Sequence, residues 1–384
     1  MRQRLVNRTK MTGLLAAAAL ALAACGAGPG GGGDGAEPEE GGALSQEEAV
    51  EEIDAIVEQM EGGELEYDVS ADSDPTIEAL RELIQKPDGY PARPVEVIIG
   101  FGEGGGSDNY ARNIAIDAQR IMGQEIILNN IPGASGEVAL GQMFSGPTDG
   151  YVISTVITNQ VINDAIGSQP YSFVDEVSFI IRQQGPTEVY WVTADSPFTD
   201  FQSMLDFAVE NPGQVTVSGS GRGGDDEVRL LALGEELGTS FNFVPYDGVG
   251  GRTTALLGGD IDVLHETAGT VIDLYNDGQI RPLAYGGDIV FERIDPEIPS
   301  VAELGYPVPT GRWRGIVAPQ EVDPAIIDYL HHVFYAASQL PSYTEYEEEF
   351  FQDVAGGYLN SEEFEEAARA EKEELLPLVE DLDV

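Results

Sequence analysis

The chain has 384 residues, of which 68 are Asp or Glu and 19 are Lys or Arg, giving a formal net charge of -49 at pH 7. That balance excludes a nucleic-acid clamp and a polybasic membrane patch, because both need clustered cations and Lys10, Lys86 and Lys372 stand singly. A hydrophobic fraction of 42% still supports a folded core, and the excess of acid over lysine predicts a halophilic surface that stays hydrated where salt screens its repulsion.

Residues 1–24 carry Arg2, Arg4, Arg8 and Lys10, then an apolar stretch from Met11 to Ala24 without an acid. This pattern predicts a secretory signal peptide, since the apolar run is shorter than the roughly 20 residues that span a bilayer. The stretch ends in Leu22-Ala23-Ala24-Cys25-Gly26, which resembles the lipobox of bacterial lipoproteins and implies lipidation of Cys25, the single cysteine. A glycine-rich, then acidic, segment over 25–44 predicts a flexible stalk. An acidic helical extension occupies 45–89. Ser45-Gln46-Glu47-Glu48 fits a capping box before apolar residues at helical spacing, and Asp74-Pro75 opens a second helix with Ile77, Leu80 and Leu83 on one face.

From Pro94 the pattern changes to strand, glycine loop and helix. Val95-Glu96-Val97-Ile98-Ile99-Gly100-Phe101 reads as a buried strand by its length and β-branching, and Gly102-Glu103-Gly104-Gly105-Gly106-Ser107-Asp108 follows. Strand, loop and helix N-terminus together make a concave anion site, because unpaired backbone N–H groups and the helix dipole converge on it. A second unit runs from the strand Glu125 to Asn130 through Pro132-Gly133-Ala134-Ser135-Gly136 into the helix Glu137 to Phe144, and a third strand spans Tyr151 to Ile157.

The ordered motifs resemble the substrate-binding proteins of tripartite tricarboxylate transporters, the Bug family. They are Tyr90-Pro91-x-Arg93-Pro94 with the loop at 101–108; Asn130-x-Pro132-Gly133-Ala134-x-Gly136; Pro147-x-Asp149-Gly150-Tyr151; and Asn211-Pro212-Gly213. They continue with Val244-Pro245-Tyr246-Asp247-Gly248, Ala255 to Asp262, Pro299 to Gly305 and Trp313-x-Gly315-Ile316-Val317-Ala318-Pro319, covering residues 90–384. Glu103, Ile131 and Asp247 depart from the family's usual Pro, Arg and Lys.

The resemblance implies an α/β, two-lobed periplasmic-binding-protein-like fold of type II, with a ligand cleft between the lobes and a hinge of two crossing strands. One lobe would comprise 90–193 and 311–384 and the other 194–310, with crossings near Tyr190 to Thr193 and Gly311 to Arg314. It also implies a ligand site of Phe101, Gly102, Gly104, Gly105, Gly106, Ser107, Asp108, Pro132, Gly133, Ala134, Ser135 and Thr158 from one lobe. The other lobe would contribute Ser218, Ser220, Gly221, Arg222, Glu227, Tyr246 and Glu266. The implied ligand is a small carboxylate and the implied partners are the integral membrane subunits of the transporter, with the lipid holding the protein on the outer face of the cytoplasmic membrane.

This reading requires no cofactor, metal or catalytic residue. His265, His331 and His332 show no metal spacing with acids, and His331 and His332 sit on an amphipathic helix whose exposure is the default expectation. Arg222, Arg252, Arg312 and Arg314 are candidate carboxylate partners, although a solvated surface place is the commoner fate of each. Two alternatives are a lipoprotein sensor with the same cleft and a nucleotide-binding enzyme built on Gly219-x-Gly221-x-x-Gly224.

Overall fold

The computed structural model describes residues 44–379, except 72, 168, 187, 247, 288–292, 307–310 and 354–356. Cys25 and the segments expected to be leader and stalk therefore lie outside the described residues, as does Asp247. No described helix is long and apolar enough to cross a membrane.

Two five-stranded sheets share one pattern. The strands are β1 (Val95–Ile99), β2 (Ile126–Asn130), β3 (Val152–Ile157), β4 (Val177–Gln184), β5 (Glu188–Thr193), β6 (Thr216–Gly219), β7 (Asn242–Pro245), β8 (Val263–Thr267), β9 (Ile280–Tyr285) and β10 (Arg314–Pro319). The first sheet has the order β2-β1-β3-β10-β4 and the second β7-β6-β8-β5-β9. In the first, β1 is parallel to β2 and β3, while β10 runs antiparallel between β3 and β4. In the second, β6 is parallel to β7 and β8, while β5 runs antiparallel between β8 and β9. Each half thus folds as a right-sized α/β lobe with one strand reversed, as expected for the two-lobed type II arrangement.

The chain passes between sheets twice, after β4 and before β10. The first passage follows Gln184 at the end of β4, and Tyr190 to Thr193 belong to β5 of the second sheet. Strands β1, β3, β4 and β10 are near-continuous apolar runs because helices cover both their faces. One face packs against Tyr110, Ile114, Leu330 and Phe334, and the other against Leu140, Val161, Phe364 and Leu375.

The N-terminal extension joins the first of these cores. Helix Gln46–Glu61 starts with the expected capping box at Ser45 and Glu48, and helix Pro75–Leu83 with Asp74 as N-cap and Pro at its first position. Ile53, Val57, Ile77 and Leu80 bury in the same cluster as β1 residues Val95 and Val97. His331 and His332 are buried in helix Pro324–Ser338, at 0% and 8% exposure, contrary to their expected surface position. Packing on two sides, against the sheet and against the extension, leaves that helix little solvent face.

Candidate functional site

Three loops converge where the carboxyl ends of the parallel strands meet. The first leaves β1 at Gly100 and enters helix Gly106–Met122, whose N-cap, Gly105, offers no side-chain hydrogen bond. Its first N–H groups therefore have no intrahelical acceptor. Asp108 lies in the first turn of this helix. Its carboxylate turns back onto its own loop, accepting from Gly104 N–H at 2.8 Å, Arg112 Nε at 2.8 Å and Asn130 Nδ2 at 2.9 Å. Burial works to raise its pKa, but these three donors outweigh it and hold the group below the usual carboxylate value.

The second loop, Pro132–Gly136, is held in an unusual backbone shape. Ala134 and Ser135 have φ of 46° and 53° without being glycine, a conformation that costs energy and persists where surrounding structure fixes it. The fixing contacts are visible: Gln160 Nε2 donates to the Ser135 carbonyl at 2.9 Å, and a Cβ on Gly136 would lie 2.5 Å from that same amide nitrogen. Across the cleft, Ser135 Oγ donates to the Arg222 carbonyl at 3.1 Å and Asp225 N–H donates to Asn159 Oδ1 at 3.1 Å. The lobes are thus in hydrogen-bonded contact.

The third loop, Ser220–Gly224, follows β6 and opens helix Asp225–Leu237. It has the strand, glycine and helix order of a dinucleotide fingerprint, but it carries its own anions. Asp226 Oδ2 accepts from Ser220 N–H at 2.6 Å, and Glu227 Oε2 accepts from Gly223 N–H at 2.8 Å. Those amides are the ones a phosphate would need, so the geometry argues against the nucleotide alternative.

Two small chambers lie between the loops, sharing Phe101 and Ser220 as walls. One, of about 60 Å³, is lined by Gly102, Gly105, Gly106 and Ser107 from the first loop and by Glu266, with Glu103, Ile157, Gly248, Val249, Arg252, Arg312 and Arg314 completing it. The other, of about 40 Å³, is lined by Gly100, Pro132, Gly133, Ala134, Ser135, Gly136, Gly221 and Tyr246. Larger grooves of about 400 and 360 Å³ lie near Arg81 and near Arg369, away from the glycine loops.

Gly104, Asp108, Thr158, Ser218, Arg222 and Glu227, all expected in the site, line neither chamber. Their resolved contacts run to other groups of the protein. Thr158 Oγ1 donates to the Gly311 carbonyl at 2.7 Å and accepts from Trp313 N–H at 3.3 Å, bracing the second chain passage. The side chain of Arg222 points to solvent and pairs with Glu227 at 2.9 Å. Ser218 is fully buried within β6.

Sequence reasoning placed Arg252, Arg312 and Arg314 at the surface by default, and all three are buried, at 7%, 7% and 3% exposure. Arg252 Nη2 pairs with Glu266 Oε2 at 2.8 Å. Arg312 grips Asp225 with Nε at 3.1 Å and Nη2 at 2.9 Å, and Nη2 also lies 2.8 Å from Glu188 and 3.3 Å from Asp226. Arg314 Nη1 donates to two neutral amides, Gln184 Oε1 at 3.1 Å and Gln352 Oε1 at 2.7 Å.

The spacing of the histidines also concealed a cluster. His265 Nδ1 lies 2.6 Å from Asp226 Oδ1, and Glu188, Asp226 and His265 bring ligand-type atoms within 4.8 Å of one another. Arg312 and Arg229 already supply the counter-charge, Arg229 Nη2 lying 3.4 Å from Glu188. Burial pushes Glu188 up to about 7 despite the attraction of Arg312. Burial works against the His265 cation, but Glu188 and Asp226 outweigh it and raise its pKa. This is an ion-pair network packed behind the chamber.

Comparison with known proteins agrees with the architecture. The sequence model of the tripartite tricarboxylate transporter family receptor, TctC, matches residues 110–383. The "UPF0065 protein in gbd 5′ region" of Cupriavidus necator is 31% identical over 284 residues, covering 73% of this chain and 85% of that protein. Protein BugT of Bordetella pertussis is 28% identical over 64% of this chain and 76% of its own length. Among solved structures, the periplasmic binding protein BugD superposes with a TM-score of 0.67 at 22% identity, over 76% of this chain and 98% of that one. A Rhodopseudomonas palustris protein, MatC, solved with bound malate, gives 0.68 at 19% identity over 76% and 100%. The two five-stranded sheets, the glycine loops at their meeting edge and these matches together make the chain a member of the tripartite tricarboxylate transporter receptor family, the TctC or Bug solute-binding proteins.

Proposed function

We propose that the protein is an extracytoplasmic solute-binding lipoprotein, anchored through Cys25, that captures a small carboxylate between its lobes and delivers it to the membrane subunits of a tripartite tricarboxylate transporter. Its role is binding, without chemical conversion of the solute. The observation that carries this reading is the chamber of about 60 Å³, where the uncapped N-terminus of helix Gly106–Met122 meets buried arginines. Helix N-terminal amides and guanidinium groups both favour a carboxylate. Relatives of the same fold support the ligand class, one being solved with malate and another with adipate. Closure around the solute presents the membrane partner with a shape that the empty receptor lacks.

The experiment is a thermal-shift screen of residues 44–384 in high salt against carboxylates, amino acids and nicotinamide cofactors. A ligand confined to the folded state raises the melting temperature with its concentration. Stabilisation by a carboxylate is the expected result, and stabilisation by a cofactor alone overturns the reading. The anchor is tested separately: Cys25→Ser moves the protein from the membrane fraction to the soluble one, and retention on the membrane contradicts lipidation.

A further inference from the structure

Accepting the receptor reading above, the charges around the chamber define its ligand more narrowly. Three buried arginines line it, and two are matched: Arg252 by Glu266, and Arg312 by Asp225, Glu188 and Asp226. Arg314 is different. Its resolved acceptors are the neutral amide oxygens of Gln184 and Gln352, and its Nε has no partner. Glu266 attracts it through space but is itself paired with Arg252, and Glu347 lies beyond Gln184, whose Nε2 is 3.5 Å from Glu347 Oε1, with burial pushing that carboxyl up to about 7. Burial also lowers the Arg314 pKa, yet a guanidinium remains charged in a protein. A buried, unmatched cation is costly unless an anion joins it.

The guanidinium sits where that anion would arrive. A Cβ added to Gly106 would collide with it, so Arg314 lies directly against the first residue of a helix whose N-terminal amides favour negative charge. A second anionic group has no such place. The remaining charged wall residues are Glu103, an exposed acid, and the already paired Arg252, Glu266 and Arg312. Arg252 nevertheless keeps Nε and Nη1 without partners, donors suited to a neutral oxygen. The volume of about 60 Å³ is well below the roughly 150 Å³ cavity that admits benzene.

From these observations we infer that the receptor is selective for a short monocarboxylate bearing a neutral oxygen at its far end, such as a hydroxy or oxo acid, and that Arg314 supplies the one charge that pairs with it. Dicarboxylates are disfavoured because their second charge meets Glu103 and arginines that acids already pair.

Calorimetric titration of the full-length protein with glycolate, lactate and pyruvate, against malonate, succinate and lactamide, tests this. The wild type is expected to bind at least one monocarboxylate ten-fold or more tighter than either diacid or the amide. Arg314→Gln should lose that affinity by thirty-fold or more while its ligand-free melting temperature stays at or above the wild-type value, because an unmatched buried charge has been removed. Arg314→Lys, which keeps the charge, should lose less. A merely structural arginine would instead lower melting and binding together, which overturns the proposal. Tighter binding of a diacid by the wild type, or unchanged affinity in Arg314→Gln, also overturns it and leaves the receptor reading standing. If the wild type binds no carboxylate at all, both fall. Should Arg314→Gln not fold, the wild-type preference alone decides.

Discussion

Arg312, just ahead of the last strand of the first sheet, grips Asp225, at the start of the helix after β6 of the second sheet, with Nη2–Oδ1 at 2.9 Å and Nε–Oδ2 at 3.1 Å. This contact ties the chain passage to the far lobe at zero solvent exposure of the acid. Charge-assisted fork geometry of this kind fixes orientation as well as energy, so the pair helps to set how the lobes meet.

Arg312→Met removes the cation and leaves Glu188, Asp225 and Asp226 buried together. Breaking such a network by removing one partner costs roughly 3–5 kcal/mol. Urea denaturation of the wild type and the variant measures it, and a loss under about 1 kcal/mol means that water or another cation already neutralises those acids.

Gly106→Ala probes the same chamber from the backbone side. The added Cβ collides with the Arg314 guanidinium, so the arginine must leave its place, and carboxylate affinity should fall ten-fold or more with melting nearly unchanged. At Gly105 the same Cβ meets only the Gly102 carbonyl, at 3.3 Å, and Gly105→Ala should cost less. Equal titration curves for both variants and the wild type would remove the helix N-terminus from the site.

These loops were legible because their signals are local: a β-branched run, glycines and a helical repeat fall within some fifteen residues of sequence. The charges were not. Arg312 finds its acid 87 positions earlier in the chain, and Arg314 lies against Gly106 from the other end of it, so nothing adjacent marks either arginine as buried. Likewise Glu227 is expected as a ligand group on a glycine loop, and only the fold shows it accepting from the loop's own Gly223 N–H. His265 shows the same limit, since its acids come from β5 and from the helix after β6.

Acid groups buried in the fold give stability a pH slope. Burial outweighs the Trp313 hydrogen bond and raises Glu371 to about 7 from 4.5. A carboxyl raised in the folded state contributes stability that is complete below its unfolded value and lost as pH rises through the folded one. The melting temperature should therefore decline between about pH 5 and 8, with Glu188 contributing in the same direction. Glu371→Gln keeps an acceptor for the indole and should flatten part of that decline. An identical slope in the variant assigns the effect elsewhere.

The formal charge of -49 makes a second solution prediction. Self-repulsion on this scale weakens the compact state at low ionic strength, and the Debye length shortens from about 10 Å at 0.1 M to 3 Å at 1 M. Melting temperature should climb steeply over that range of sodium chloride. A flat profile contradicts the halophilic reading of the composition.

The central claim is that a carboxylate sits between the two sheets, against the N-terminus of helix Gly106–Met122 and the Arg314 guanidinium. Crystallisation with the tightest-binding acid of the panel tests it most directly. The account predicts ligand density enclosed by the Gly102–Ser107 loop, Arg252 and Arg314; a bound acid located in one of the outer grooves, with this chamber filled by water alone, would contradict it.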